Sequence, residues 1–384
     1  MKTLFKSILT VLLLMFLFFW YVVKPKLDTE LPSRGLHYGI NQNAEFFEQA
    51  YANISAQKPS DPIAGITVNH HLLAPHLIAR EFALVATDKP ITVLLVSPNH
   101  FYRGNGGAIT SQYDWQTPYG VLKADQTLAT KLSETGLVNI DETPFEQEHG
   151  ISSIVGFIKK SLPNAKIVPV IVKDNLPDSQ VDELALKLQE TLPKDVLIVG
   201  SLDFSHYLPS NAAKFHDIQT LAVINNFDYK LIPKLDIDSH PGLQLLLKYF
   251  DATGHKKFVV TAHENSSTVT GNYSFVETTS YINGYFTQGQ NQTDSHRTIL
   301  YVQGLKPEDH WKPDASERLY KFTEIVTTKP KELDRISLGS QPMAVGLVYN
   351  PDLTDIYLFP LDITNHIITL RVQPNPDTMH IQIK

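Results

Sequence analysis

The chain has 384 residues, of which 42% are hydrophobic, a formal net charge of −7 and no cysteine. That length favours two domains over one, and mild acidity without a dense Lys/Arg run argues against a nucleic-acid surface. The lack of thiols excludes disulfides, zinc fingers, iron–sulfur clusters and cysteine catalysis, leaving histidine, carboxylate, amide and hydroxyl groups as the available site chemistry.

The amino terminus differs from everything after it. Ile8 to Val23 is a run of sixteen uncharged residues between Lys2 and Lys6 on one side and Lys24 and Lys26 on the other. Counted from Leu4 the stretch reaches twenty residues, near the length that crosses a hydrocarbon layer. No small-x-small cleavage site follows, so residues 1–26 read as a retained transmembrane helix rather than a signal peptide. The short tail before it favours a single-pass anchor with the bulk of the chain outside the cytoplasm.

Glu45 to Asn53 fits a short helix. Gly65 to Asn69 is the first strand, ending in His70 and His71. Leu72 to Ala86 carries apolar residues at helical spacing and reads as a crossover helix. Ile91 to Val96 is a β-branched and aliphatic run, polar only at Thr92, leading into Ser97-Pro98-Asn99-His100, the pattern of a strand buried on both faces. Proline ends its pairing, which leaves His100 at the carboxyl end, where open α/β sheets bind ligands.

Tyr113 to Gly120, with its Asp, Trp, Pro and Gly, suits either a loop over a pocket or a plain hairpin. Asp125 to Thr135 is amphipathic, and Glu146 to Leu162 reads as a helix with Glu148 and His149 near its start. Lys166 to Val172 is a strand, Ser179 to Leu192 a helix and Val196 to Ser201 a strand that delivers Asp203, Ser205 and His206. This alternation argues for a mainly parallel, helix-covered α/β sheet. Ala213 to Leu231 and Pro241 to Ala252 follow as helices, then Phe258 to Ala262 and Ser280 to Phe286 as strands. A polar linker at Gly289 to Ser295 separates an α/β domain, 27–288, from a small β-rich carboxyl-terminal domain, 296–384, without a reactive constellation of its own.

His206 with Asp203 reads either as a pair that orients a ligand and moves protons, or as a turn capped by Asp203. Glu148 and His149 either complete the pocket or only favour a helix start. Ser205 does not make a serine hydrolase. Neighbouring side chains on a strand diverge, and no G-x-S-x-G elbow is present.

The stretch from Gly65 to Phe286 resembles the Memo family, also called AmmeMemoRadiSam system protein B. Val68-Asn69-His70 stands for the family's V-P-H, Ser97-Pro98-Asn99-His100 for G-P-S-H and Thr117-Pro118 for its T-P. Glu148-His149 stands for E-H-S, Val168-Pro169-Val170 for V-P-V, and Ser201 to His206 for S-S-D-F-S-H. Asn265-Ser266-Ser267 and Val269-Thr270-Gly271 look like the family's late N-S-G and V-T-G segments. The resemblance implies a fold similar to class III extradiol dioxygenases and a metal, iron or copper, held by two histidines and a cysteine. The histidines carry over to His70 and His100, with His71 directly after His70 as the alternative to it. The cysteine does not, because Asp236-Ile237-Asp238-Ser239-His240-Pro241 occupies its stretch. A carboxylate from Asp236 or Asp238, here assigned to Asp238, would make a two-His-one-carboxylate set suited to Fe(II), with copper as the second choice. Asp203, His206, Glu148 and His149 then become candidates for proton transfer in an oxidative or metal-assisted reaction on a small molecule. The alternative is a non-catalytic protein that keeps the pocket to bind a small-molecule or protein ligand.

Overall fold

The computed structural model describes residues 35–55, 57–208, 210–272, 277–291, 297–301, 343–350, 353–360, 368–372 and 381–383. The apolar stretch at 1–26 lies outside them, and among the described residues no helix is long and apolar enough to cross a membrane.

Thirteen strands form one mixed sheet. In chain order they are β1 (Leu36–Tyr38), β2 (Ile63–Val68), β3 (Ile91–Pro98), β4 (Ala108–Thr110), β5 (Asp114–Thr117), β6 (Gly120–Ala124), β7 (Val138–Ile140), β8 (Ala165–Val172), β9 (Val196–Ser201), β10 (His206–Leu208), β11 (His255–Asn265), β12 (Thr278–Thr287) and β13 (Gly289–Gln290). The helices are α1 (Ala44–Tyr51), α2 (Pro75–Val85), α3 (Gln126–Glu134), α4 (His149–Ser152), α5 (Val155–Ser161), α6 (Asp178–Thr191), α7 (Ser210–Asn226), α8 (His240–Ala252) and α9 (Ser266–Thr270).

The spatial order β6-β8-β3-β9-β2 is parallel throughout, and β12 and β11 extend it antiparallel beyond β2. β9 lies between β2 and β3, so the carboxyl ends of all three meet at one edge. Successive β3 side chains face opposite sides, as a two-residue period requires. Leu94 and Val96 join a core layer with Val168, Ile198, Leu246 and Phe250, whereas Val93 and Leu95 join Ile66, Phe82, Phe157 and Ile167 on the other face. Both faces are therefore dry, as the apolar run implied.

Two local departures, and the outcome of one open alternative, have physical causes. The predicted helix over 146–162 is split into α4 and α5, because the Glu148 carboxylate caps Gly150 N–H and starts a helix there, and α4 ends at Ser152 with Ser153 as its cap. Tyr113 to Gly120 is not a lid but largely the β5–β6 hairpin, with Thr117 Oγ donating to the Gly120 carbonyl across the turn at 2.7 Å. α8 begins one residue early, at His240, because Ser239 Oγ accepts from Gly242 N–H and proline sits in its first turn. A separate five-stranded antiparallel sheet is built from β14 (Arg297–Tyr301), β15 (Met343–Asn350), β16 (Leu353–Pro360), β17 (Ile368–Val372) and β18 (Ile381–Ile383), in chain order.

One buried acid in this scaffold gives a pH test of stability. Glu81 on α2 is fully buried, and burial raises its carboxyl from 4.5 to about 7 against the opposing Thr261 hydrogen bond. Thr261 has one hydroxyl proton and two acceptors, the Glu81 carboxylate and the Asn283 carbonyl, so a protonated Glu81 satisfies the trio better. The folded pKa lies above the unfolded one, so ionisation costs the folded state. The cost is absent below about pH 4.5, grows through the window up to about 7, and reaches about 3 kcal/mol above it. Urea unfolding of Glu81→Gln is expected to show a gain of about 1–3 kcal/mol at pH 8 and a flatter pH profile between those values. A wild-type slope retained in the variant would refute this assignment.

Candidate metal centre

His70 follows β2, His100 follows β3 and Asp203 follows β9, so three adjacent parallel strands deliver them to one spot. The ring centroids of His70 and His100 are 4.9 Å apart. His149, the first residue of α4, stacks on His100 at 3.9 Å and lies 5.3 Å from His70. A ring nitrogen from each of the three histidines lies within 4.8 Å of the others. Asp238, in the turn before α8, places Oδ2 3.3 Å from His70 Nε2 and 3.9 Å from His100 Nε2.

Neighbouring groups fix which nitrogens face inward. Ser201 Oγ spends its only proton on the Gly150 carbonyl at 2.6 Å, so at 3.2 Å it accepts from His70 Nδ1–H. His70 Nε2 therefore carries the lone pair. His100 Nδ1 lies 2.6 Å from Glu148 Oε1, and the other Glu148 oxygen accepts the His100 backbone N–H at 2.9 Å. This is the carboxylate–histidine arrangement that orients metal ligands and leaves Nε2 free to bind.

The lone pair of His70 Nε2 meets two carboxylate oxygens, Asp203 Oδ2 at 3.4 Å and Asp238 Oδ2 at 3.3 Å. Three electron-rich atoms in a nearly dry space need a positive centre between them, either a proton or a cation. The ionisation behaviour agrees. Burial first, and the neighbouring His100 and His149 next, hold His70 well below its ordinary range. Burial raises both Asp203 and Asp238, and Asp203 adds its own charge to the pressure on Asp238. Asp238 Oδ1 is buried with no hydrogen-bond partner, which is what an oxygen reserved for a cation looks like in its absence. Donors about 2.1 Å from one ion lie roughly 3–4.2 Å apart, a range that holds the separations of Asp238 from His70 and His100 at 3.3 and 3.9 Å.

The remaining predicted residues fall around this core. Asp203 does not turn to His206. Its carboxylate receives the backbone N–H groups of His70 and His71, and its own N–H donates to Asp238 Oδ2 at 2.8 Å, tying the two loops together. His206 is half-buried and is pushed down to about 4 by burial, against the pull of Asp236 and with His100 and His71 acting in the same direction as burial. Burial likewise lowers His149 and His71. Asp236 turns away to His216, with Oδ2 3.2 Å from Nδ1, and Ser205 donates to Asp217 at 2.7 Å. Sequence reasoning passed over Ser201 and Gly150, which orient the imidazoles. Their only signal is that Ser201 lies at a strand end inside a matched motif and Gly150 directly follows another.

A mixed α/β sheet carrying a histidine and carboxylate constellation at the carboxyl ends of its parallel strands defines an α/β protein with a metal-capable centre. The chain belongs to the Memo-like protein family, whose pattern matches residues 35–283. A MEMO1 family protein of Methanothermobacter thermautotrophicus is 32% identical over 149 residues, 38% of this chain and 53% of that protein. One from Sulfolobus acidocaldarius is 27% identical, covering 51% of this chain and 72% of its own length. One from Metallosphaera sedula is 25% identical over 229 residues, covering 56% and 80%. The chain spans about half the length of the first of these and of two Saccharolobus islandicus relatives. Among solved structures, an uncharacterized protein from Escherichia coli K12 is similar at 14% identity and a TM-score of 0.39, covering 58% of this chain and 99% of that one.

Proposed function

We propose that the protein is a membrane-tethered metalloprotein that holds one divalent cation, Fe(II) by preference, for oxidative or metal-assisted chemistry on a small substrate. The observation that carries this reading is the His70 Nε2 lone pair facing two carboxylates beside an unpartnered Asp238 oxygen. His70, His100 and Asp238 would supply two imidazoles and one carboxylate, and His149 a third imidazole within reach. Nitrogen and carboxylate oxygen without thiolate favour Fe(II) over Cu(I). Bound there, the ion would supply Lewis acidity and redox capacity next to the substrate.

The chain's own residues would do the rest. Glu148 and Ser201 fix the faces of His100 and His70. Asp203 holds the His70 backbone and the Asp238 loop in register. His206, whose surroundings favour its neutral form, would pass a proton to or from the substrate. The apolar segment at residues 1–26 would tether this domain to a membrane, with the 296–384 region beside it as a separate β-rich module.

Metal analysis of the purified full chain after anaerobic incubation with Fe(II) is the direct test. One ion per chain is expected, with loss of that ion in His100→Ala. A chain that stays metal-free after iron or copper treatment, with a melting temperature unchanged by His100→Ala, would remove the metal reading.

A further inference from the structure

His71 has no part in the constellation above, yet the fold controls its ring closely. The side chain is exposed, while its Nδ1 reaches inward to Tyr281 Oη at 2.8 Å. Tyr281 is fully buried, and its hydroxyl lies 3.1 Å from Ser266 Oγ. Ser266 Oγ in turn accepts the Thr279 N–H at 3.1 Å and donates to the Thr279 carbonyl at 3.2 Å.

Two proton arrangements fit this chain, and one of them also satisfies the Thr279 carbonyl. Ser266 has a single hydroxyl proton, and the Thr279 carbonyl takes it. Tyr281 O–H must then donate to Ser266, so its oxygen accepts from His71 Nδ1–H. In that arrangement the proton of the neutral imidazole is on Nδ1 and the lone pair on Nε2, the nitrogen turned away from Tyr281. The His71 backbone is pinned as well, because its N–H donates to the Asp203 carboxylate. Electrostatically, His71 lowers both His149 and His206. An exposed imidazole needs no buried relay to fold, since water would satisfy either tautomer.

We infer that His71 is the substrate-recognising acceptor of this centre, with Nε2 held ready for an N–H or O–H group of the molecule bound at the metal. The assignment rests on the metal reading above and adds a specificity to it: the preferred substrate carries a hydrogen-bond donor next to the atom that meets the ion. Tyr281, Ser266 and Thr279 are positioning residues that act through His71.

Two measurements on the full chain test it. In protein labelled with 15N at histidine only, long-range proton–nitrogen spectra should show His71 protonated on Nδ1, and Tyr281→Phe should shift it towards the Nε2–H form or a mixture. Acetohydroxamate and N-methylacetohydroxamate then serve as probes on the zinc-loaded protein, since both chelate through two oxygens and only the first has an N–H. The N–H probe should bind about fivefold more tightly, the worth of one hydrogen bond, and the preference should vanish in His71→Ala and shrink in Tyr281→Phe. An Nε2–H tautomer in the wild type, or a probe preference indifferent to His71, would overturn the assignment while leaving the metal centre standing. Failure to bind zinc, iron or copper would remove both.

Discussion

Asp238→Asn is expected to make the metal-free protein more stable while reducing its affinity for Fe(II) or Co(II) by more than about 100-fold. Opposite signs follow from the same geometry. In the metal-free chain Asp238 Oδ2 must face the His70 Nε2 lone pair at 3.3 Å while also accepting the Asp203 N–H at 2.8 Å. An amide of the same shape can keep its oxygen on the Asp203 N–H and carries no charge, which removes the buried anion that desolvation and the neighbouring Asp203 disfavour. With a cation bound, the same exchange takes away an anionic ligand. A residue kept for folding would behave differently, because its loss would lower stability whether or not metal is present. Denaturant unfolding of both metal-free proteins and Co(II) titration by absorbance read the two effects separately. Equal metal affinity in the two proteins would show that Asp238 is not a ligand, whatever the stability result.

The contrast between what the chain announces and what it hides follows from the range of the interactions involved. β2, β3, β8 and β9 are legible because a strand dry on both faces must be written as a continuous apolar run, and His70 and His100 are legible because each ends such a run. The third histidine is harder to place. His149 enters the group only because Glu148 caps a new helix start and also grips His100 from another strand, a pairing across 48 residues that no local pattern encodes. Asp238 had to be chosen over Asp236 by chain position alone. The structure separates them through their partners, since Asp236 turns to His216 and Asp238 to His70. His71 was legible as the neighbour of His70 but not in a role of its own, for the same reason: its Tyr281 partner lies 210 residues away. Periodicity reports burial, whereas a site is made by partners distant in sequence.

A last expectation comes from two departures that looked unrelated in the motifs. The family pattern G-P-S-H has glycine where this chain has Ser97, and E-H-S has serine where this chain has Gly150. In the structure the two positions touch: a Cβ on Gly150 would overlap Ser97 Oγ, which is itself buried and without a hydrogen-bond partner. One site has space for one side chain, and this chain has moved it from the helix start to the strand end. Gly150→Ser alone is therefore expected to cost about 2–3 kcal/mol through overpacking. It should also weaken metal binding, because Gly150 N–H holds Glu148 at 3.0 Å and its carbonyl holds Ser201 at 2.6 Å, the two groups that orient His100 and His70. Ser97→Gly alone should cost only about 1 kcal/mol, from the added backbone freedom of glycine in a strand. Together the changes should recover most of the loss, with a coupling of about 2 kcal/mol between them. Denaturant unfolding of the four proteins closes the cycle. Simple additivity would mean that Gly150 meets some other obstacle, and that the exchange of glycine and serine between the two motifs is coincidence.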